Sequence, residues 1–279
     1  MATFRYVLCD VFTDTPLTGN QLAVFTDARE LPEESLQPLA RELNLSETVF
    51  VYRPEAGGHA RIRIFTPTRE LPFAGHPTLG SAFVLAGPLQ LGEIRLETGA
   101  GIIPVRLERE GPRIVFGWME QPIPTWRPYE RADELLALLG VESELPVERY
   151  DLGPTFVYVA FRSADEVASL RPDIRGLGDY DEGVNCFAPL DGAGWKTRMF
   201  APAFGVAEDP ATGSAAGPLA VHLVRHGRIA PGETIEIEQG VEIARPSKLH
   251  ARVVGTPDQI DRVEVGGSAV ILARGEFQL

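Results

Sequence analysis

Two residues with ionisable side chains, His76 and Asp209, each stand directly before a proline in similar sequence surroundings. A residue before proline is pushed out of the helical region, whereas proline itself is favoured at the first position of a helix. The pattern therefore predicts that His76 and Asp209 occupy helix N-caps and that Pro77 and Pro210 open the two helices. The unpaired amide groups and the dipole at a helix start attract anions, so the paired starts predict a site for a carboxylate.

The surroundings of these residues form an internal repeat. Residues 61–67 (RIRIFTP) reappear as 196–202 (KTRMFAP), and residues 76–82 (HPTLGSA) reappear as 209–215 (DPATGSA). A strand, a loop and a glycine-containing helix start thus occur twice in the same order, which predicts two copies of one α/β unit facing each other. The alternative is an ordinary capping role for each residue, since Asp is a common N-cap.

A third candidate is Glu47, which lies between a predicted helix and an apolar strand that begins after it. A carboxylate at the mouth of an apolar strand loses part of its hydration, and desolvation raises its pKa toward neutrality. A raised pKa suits a group that must both take and return a proton. A solvated glutamate in a turn is the alternative.

The elements that must position these residues are mostly strands, because β-branched and aromatic residues alternate with polar ones over short segments. The pattern predicts strands at residues 3–9, 21–25, 48–53, 61–65, 93–98, 102–108, 112–116, 155–161, 184–188, 196–200 and 233–238. It predicts helices at 33–43, after Pro77, and at 131–140, 163–170 and 212–226. The proline-rich stretch 118–128 predicts a linker between two halves.

Composition excludes several classes of function. The chain of 279 residues has a formal net charge of −13 and no basic run, which argues against a nucleic-acid or anionic-membrane partner. We find no signal-like N-terminal segment and no apolar stretch long enough for a bilayer. Cys9 and Cys186 are the two cysteines, and both lie in apolar strand-like segments. These features predict a cytoplasmic protein whose cysteines pack in the core.

Several of these strings resemble the phenazine-biosynthesis, PhzF-like isomerase family. They are residues 43–48 (LNLSET), 63–67 (RIFTP), 71–77 (LPFAGHP) and 208–220 (EDPATGSAAGPLA). The resemblance extends to Gly19 and Asn20, to 121–126 (QPIPTW) and to 239–247 (QGVEIARPS), and so covers nearly the whole chain.

The resemblance implies a diaminopimelate-epimerase-like α/β (α+β) fold with two pseudo-symmetric halves. Each half is a curled, mostly antiparallel sheet around a central helix, and the site lies in the cleft between the halves. We expect one half at 1–117, completed by a C-terminal strand at 266–279, and the other at 129–265. The usual assembly of the family implies a homodimer.

The resemblance also implies an activity, the isomerisation of trans-2,3-dihydro-3-hydroxyanthranilate by a proton shift, without metal or organic cofactor. Carried over residue by residue, it makes Glu47 the general acid/base, and it makes His76 and Asp209 groups that position the substrate and assist proton movement. The residues expected to contact the substrate's polar groups are Ser46, Gly75, Gly213 and Ser214.

Other functions stay open at this point. His222 and His226 have the i, i+4 spacing of metal ligands, but Gly227 after them favours a helix C-terminus, where histidine suits the dipole. A nucleotide-binding oxidoreductase lacks its GxGxxG motif. The related epimerases use two cysteines at the repeat loops, where this chain has His76 and Asp209. An isomerase or epimerase acting on an unrelated small amino or hydroxy acid, and a non-catalytic interaction protein that kept the fold, remain the alternatives.

Overall fold

A computed structural model describes residues 2–192 and 194–279. Its helices are α1 (Glu33–Leu43), α2 (Gly75–Leu89), α3 (Ala132–Leu139), α4 (Ala164–Ser169), α5 (Ile174–Leu177) and α6 (Gly213–Arg225). Short 3-10 turns cover Pro202–Phe204 and Val241–Ile243. Along the described ranges, no helix is both long enough and apolar enough to cross a membrane.

Strands make up most of the regular structure. Those of the first half are β1 (Thr3–Val11), β2 (Asn20–Phe25), β3 (Glu47–Tyr52), β4 (Ala60–Phe65), β5 (Glu70–Leu71), β6 (Glu93–Thr98), β7 (Gly101–Glu110) and β8 (Arg113–Gln121). The later strands are β9 (Thr125–Pro128), β10 (Glu148–Asp151), β11 (Thr155–Ala160), β12 (Gly183–Pro189), β13 (Gly194–Ala201), β14 (Val206–Asp209), β15 (Thr234–Gln239), β16 (Ser247–Gly255), β17 (Ile260–Gly267) and β18 (Ala269–Gln278).

The strand pairing repeats itself along the chain. β2 and β3 are parallel, β3 and β4 antiparallel, β4 and β6 parallel, and β6 and β7 antiparallel. β11, β12, β13, β15 and β16 repeat these orientations in the same order. In chain order, α2 follows β5 as α6 follows β14. The predicted fold of two similar α/β halves is confirmed by this duplicated topology.

The two repeat helices are the buried helices of the fold. α2 is buried from Gly75 through Val84, and α6 is buried from Gly213 through Val224. A helix that is apolar on nearly every side must be covered on nearly every side, and a sheet that curls around it provides that cover. The same requirement explains why both helices carry small residues at their starts, where the other half approaches.

The two halves share one continuous set of strand pairs. β17 pairs with β8 from Val263 opposite Gln121 to Gly267 opposite Gly117, and β18 pairs with β1 along nearly its whole length. The chain therefore returns to the first half at its end. Within the expected linker, β8 continues to Gln121 and β9 begins at Thr125, so strand pairing covers most of the segment. The boundaries at 1–117 and 129–265 stay a prediction.

Gly80 in α2 tests how tightly the helix packs. A β-carbon at this position would lie 2.6 Å from Leu22 Cδ2 and 2.7 Å from Val11 Cγ2. We expect Gly80→Ala to lower the free energy of unfolding by about 1–3 kcal/mol, the usual cost of overpacking a core, as measured by urea denaturation. Gly87→Ala in the same helix is the control, because a β-carbon there meets nothing within 4 Å. It should stabilise the protein by about 0.5–1 kcal/mol, and equal effects at both sites would contradict the packing.

Candidate active site

The two repeat helices do not start at the positions that the prolines predict. The N-cap of α2 is Ala74 and that of α6 is Thr212, and neither side chain forms a capping hydrogen bond. The prediction that His76 and Asp209 are N-caps is therefore wrong. His76 lies in the first turn of α2, because Gly75 already adopts helical geometry, and Asp209 is the last residue of β14.

The starts of α2 and α6 are in direct backbone contact. A β-carbon on Gly75 would lie 2.3 Å from the amide nitrogen of Ser214 and 2.4 Å from the carbonyl carbon of Gly213. Such an approach excludes any side chain at Gly75. The two loops that precede the helices therefore face each other, and this brings His76 and Asp209 into one buried region.

Glu47 is the first residue of β3, and its side chain is 15% exposed. Its Oε2 lies 3.4 Å from His76 Nε2, and across the described ranges neither atom has a hydrogen-bond partner of acceptable geometry. Burial, and after it the negative charge of Asp209, raise the pKa of Glu47 well above its ordinary value of 4.5. The solvated-turn alternative for Glu47 does not fit this burial.

His76 is buried, with 2% of its surface exposed. Burial lowers its pKa from 6.5 to about 3, although a backbone hydrogen bond with Gln21 acts in the opposite direction. The imidazole is therefore neutral at physiological pH. A neutral ring can accept a proton at one nitrogen while it donates from the other.

Asp209 is held by hydrogen bonds from three side chains. Ser46 Oγ donates to Oδ1 at 2.9 Å, Asn20 Nδ2 donates to the same oxygen at 2.9 Å, and Thr212 Oγ1 donates to Oδ2 at 2.5 Å. Burial raises the pKa of this carboxyl, and the three donors oppose that effect. Because Glu47 lacks such donors at Oε2, we assign the proton to Glu47 and the negative charge to Asp209.

Two amide side chains complete the network and were not among the predicted site residues. Asn20 Nδ2 also donates to the carbonyl of Ala211 at 2.9 Å and lies 3.2 Å from His76 Nδ1. Gln239 Nε2 donates to the backbone carbonyl of Asp209 at 2.8 Å. Both residues lie within the strings that carry the family resemblance, but nothing in the sequence places them beside residue 209.

A small cavity lies against these groups. Its volume is about 50 Å³, and its polar lining includes Glu47, Asp209, Thr212 and Ser214. Its apolar lining comes from both halves and includes Leu71, Ala74, Pro154, Phe156, Met199, Phe204 and Val206. Typical small-molecule pockets are about 300–1,000 Å³, so a ring-shaped substrate requires the cleft to widen.

The four predicted substrate-binding residues occupy different positions around this cavity. Ser214 lines it directly. Ser46 hydrogen-bonds Asp209, whereas Gly75 and Gly213 lie at the backbone contact between the helix starts. Their contacts to a substrate stay a prediction.

His222 and His226 lie in a second buried cluster, apart from the cavity. Nδ1 of His222 and Nε2 of His226 lie 3.2 and 3.1 Å from the same carboxylate oxygen of Glu148, so the three residues offer ligand atoms close together. Nη1 of Arg225 lies 2.6 Å from that oxygen, and Tyr150 also donates to it. A guanidinium already provides the positive charge that this carboxylate requires, so the geometry favours a structural ion cluster.

Both cysteines lie in the apolar core. Cys9 and Cys186 are fully buried, which confirms the predicted core packing. Burial raises the pKa of each thiol to about 12. Neither thiol provides the thiolate that a two-cysteine epimerase mechanism needs.

The raised pKa of Glu47 gives stability a defined pH dependence. The folded protein keeps the proton of Glu47 at pH values where the unfolded chain, with a pKa near 4.5, has lost it. Stability therefore falls as pH rises from about 4.5 through the folded-state pKa. A glutamine side chain cannot ionise, so we expect Glu47→Gln to melt at a similar temperature to wild type near pH 4 and at a higher temperature near pH 8.

Thermal midpoints between pH 4 and 8 measure this difference. Glu93→Gln, at an exposed position of β6, is the control and should follow the wild-type curve. A midpoint difference between Glu47→Gln and wild type that does not change with pH would contradict the buried, protonated Glu47.

Comparison with known proteins connects this geometry to a family. The model of the family described as phenazine biosynthesis-like protein matches residues 9–275. A trans-2,3-dihydro-3-hydroxyanthranilate isomerase from Pseudomonas aeruginosa is 51% identical over 279 residues, which is 99% of each chain.

Solved structures agree with this assignment. A predicted epimerase from Pseudomonas aeruginosa superimposes with a TM-score of 0.83 at 32% identity, over 99% of each chain. A phenazine biosynthesis protein of the PhzF family from Bacillus anthracis superimposes with a TM-score of 0.86 at 24% identity, over 100% of each chain, and shows the same fold. The chain therefore belongs to the phenazine biosynthesis-like family.

Proposed function

We propose that this chain is an isomerase that moves a proton on trans-2,3-dihydro-3-hydroxyanthranilate, with Glu47 as the general acid/base. The observation that carries the proposal is the Glu47 carboxyl, whose buried Oε2 lies at the cavity 3.4 Å from His76 and near Asp209. The 51% identity over the whole chain to an isomerase with this substrate supports the same function. General acid/base catalysis needs such a group at the reacting atoms.

The reaction balances within the substrate. In its ionised form, Glu47 takes a proton from one ring carbon, and the electron pair of that C–H bond moves into the conjugated system and shifts a double bond. The protonated carboxyl then returns a proton to another ring carbon. A raised pKa makes the ionised form a stronger base, and the loss of hydration at this site favours proton transfer to carbon.

Asp209 and His76 assist in different ways. Asp209 keeps its negative charge through the donors from Ser46, Asn20 and Thr212, and it fixes the orientation of substrate groups that can donate a hydrogen bond. The neutral ring of His76 faces Glu47, and burial disfavours its charged form. It can therefore relay a proton only by accepting one at one nitrogen while the other nitrogen gives one up. Ser214 at the start of α6 offers a contact for the substrate carboxylate, where the helix end favours an anion.

This chemistry needs no electron donor or acceptor, because the substrate and product are isomers. We therefore extend the proposal to an enzyme that works with side chains alone, without metal or organic cofactor. The two buried free thiols support a cytoplasmic location, since reducing compartments preserve unpaired cysteines.

Replacing the acid/base tests the proposal directly. We expect Glu47→Gln to lower kcat about a hundred- to ten-thousand-fold, the usual contribution of a general acid/base, and to abolish deuterium incorporation into the substrate ring in heavy water. Mass spectrometry of the product in D₂O measures both. Glu97→Gln is a matched control, because Glu97 is 5% exposed and accepts hydrogen bonds from the amides of Glu55, Ala56 and Gly58.

Normal turnover by Glu47→Gln would remove Glu47 from the mechanism. If the wild-type protein is inert on trans-2,3-dihydro-3-hydroxyanthranilate but incorporates deuterium into another small acid, that acid replaces it as the proposed substrate. Inertness toward every such acid would favour the alternative that the chain is a non-catalytic interaction protein that kept the fold.

We further propose a homodimer formed along β18. Within the residues that the structure describes, the strand register pairs β18 with β1 and with no other strand. Ile271 on this strand is 42% exposed, and a groove of about 820 Å³ runs beside it over Phe83 and Gly87 of α2. A long apolar edge strand attracts another strand unless it is covered.

The charges on β18 favour a second copy as the occupant. Arg274 and Glu276 lie on either side of Gly275, and both line the groove. An antiparallel pairing of two β18 strands centred on Gly275 places Arg274 opposite Glu276 of the partner subunit, twice by symmetry. Opposite charges across a strand pair stabilise it, and a twofold axis requires this kind of self-complementary surface.

A lysine on this strand tests the dimer. We expect wild type to have twice the chain mass by light scattering at micromolar concentration, and Ile271→Lys to be a folded monomer, because burying an added charge at the edge opposes pairing. Ile123→Lys is the control, since Ile123 is 47% exposed and lies outside β18, between β8 and β9. A wild-type monomer, or an Ile271→Lys dimer, would reject this interface.

A further inference from the structure

Asn20 joins the two halves of the molecule at the candidate active site. It is the first residue of β2, it is 1% exposed, and its amide nitrogen lies within hydrogen-bonding distance of three groups. Asp209 Oδ1 and the carbonyl of Ala211 are each at 2.9 Å, and His76 Nδ1 is at 3.2 Å. One side chain thus contacts both repeat residues that carry ionisable groups.

The two polar atoms of the Asn20 side chain differ in their hydrogen bonding. An amide nitrogen has two protons, and Asp209 Oδ1 and the carbonyl of Ala211 both accept from it, so these two contacts use its donor capacity. Its carbonyl oxygen Oδ1 is buried and, among the residues that the structure describes, has no hydrogen-bond partner. An unpaired buried oxygen costs free energy, and such a cost is tolerated mainly where a site needs the geometry.

A segment of the second half holds Asn20 in place. Arg245 Nε donates to the carbonyl of Gly19 at 2.9 Å, and its Nη2 donates to the carbonyl of Thr18 at 2.7 Å and to Asp10 Oδ1 at 2.6 Å. The amide of Gly19 in turn donates to the carbonyl of Pro246 at 3.0 Å. The residues directly before Asn20 are therefore fixed by a guanidinium from the other half.

The same segment also holds Asp209. Gln239 Nε2 donates to the backbone carbonyl of Asp209 at 2.8 Å and to Thr212 Oγ1 at 3.0 Å. Gly240 packs so closely that a β-carbon there would lie 2.5 Å from the carbonyl of Pro210. Residues 239–246, which we call the clamp segment, therefore set the positions of Asn20 and Asp209 relative to each other.

We propose that Asn20 is a positioning residue of this site, set across the cleft by Arg245, and that it keeps the Asp209 carboxylate and the His76 ring aligned with Glu47. Asn20 acts through these two residues and moves no proton itself. The inference rests on the proposed function for its kinetic test, whereas the titration test described below does not depend on any substrate.

Removing the Asn20 amide tests the proposal. We expect Asn20→Ala to lower kcat about ten- to a hundred-fold with little change in KM, because misplacing a catalytic group by a fraction of an ångström costs rates of this size. The loss of an N–H donor also raises the pKa of Asp209. The acidic limb of the pH profile of kcat should therefore move to higher pH.

A carboxyl-selective NMR titration of Asp209 checks the same effect without substrate. We expect the titration of Asp209 in Asn20→Ala to shift to higher pH, and Asn20→Asp to shift it further because a second carboxyl faces it. If the titration shifts but the expected substrate is not turned over, the proposed function fails and the role of Asn20 stands. If Asn20→Ala does not fold, the Asp209 titration is measured in Asn20→Ser instead.

A substitution of Arg245 tests the second part of the proposal, that Arg245 sets the position of Asn20. We expect Arg245→Met to lower kcat to a similar extent, and the double variant with Asn20→Ala to be no slower than Asn20→Ala alone, because both changes disable one positioning path. Arg252→Met is the control, since Arg252 also binds a buried carboxylate, Glu264, at 2.6 Å, but across the β16–β17 strand pair. It should affect stability more than kcat.

Three results would overturn the inference. A normal kcat with an unchanged Asp209 titration in Asn20→Ala would show that Asn20 does not position the site. Additive losses in the double variant would separate Arg245 from Asn20. An equal loss of kcat in Arg252→Met would show that any weakened arginine contact slows this enzyme.

Discussion

The backbone contact between the starts of α2 and α6 is the constraint on which the rest of the structure depends. Gly75 lies against Gly213 and Ser214 so closely that a β-carbon does not fit. This contact forces the preceding loops to face each other, and it fixes His76 and Asp209 in a common buried region. The curled sheets around each helix, and the shared β8 and β17 pair, keep the two helix ends in contact.

Burying two carboxyl groups together is costly, particularly in a chain with a net charge of −13. The site reduces this cost by giving the two groups different environments. Asp209 receives three side-chain donors, whereas Oε2 of Glu47 faces His76 without a well-formed hydrogen bond within the described ranges. The group left without donors keeps a raised pKa, and that property makes it suitable for proton transfer.

The cluster at Glu148 compensates a buried carboxylate fully, in contrast to the site at Glu47. Burial opposes ionisation there too, but His222, Arg225, His226 and Tyr150 all contact one carboxylate oxygen and hold the pKa of Glu148 below its usual range. A carboxylate that is fully compensated stabilises the fold and offers no basic oxygen to a substrate. Our proposal therefore assigns the proton transfer to Glu47, the incompletely compensated group at the cleft.

The sequence by itself determined the duplication of an α/β unit, most of the helices and strands, the burial of both cysteines, and the residue types of the candidate acid/base machinery. These follow from local rules, because periodicity, proline and glycine act within a few residues. Only the tertiary structure decided where the helices start, that residues 20 and 209 share a hydrogen bond across 189 positions, and that the clamp segment holds both. Desolvation and long-range hydrogen bonds depend on which segments the fold brings together, and local patterns carry no information about those neighbours.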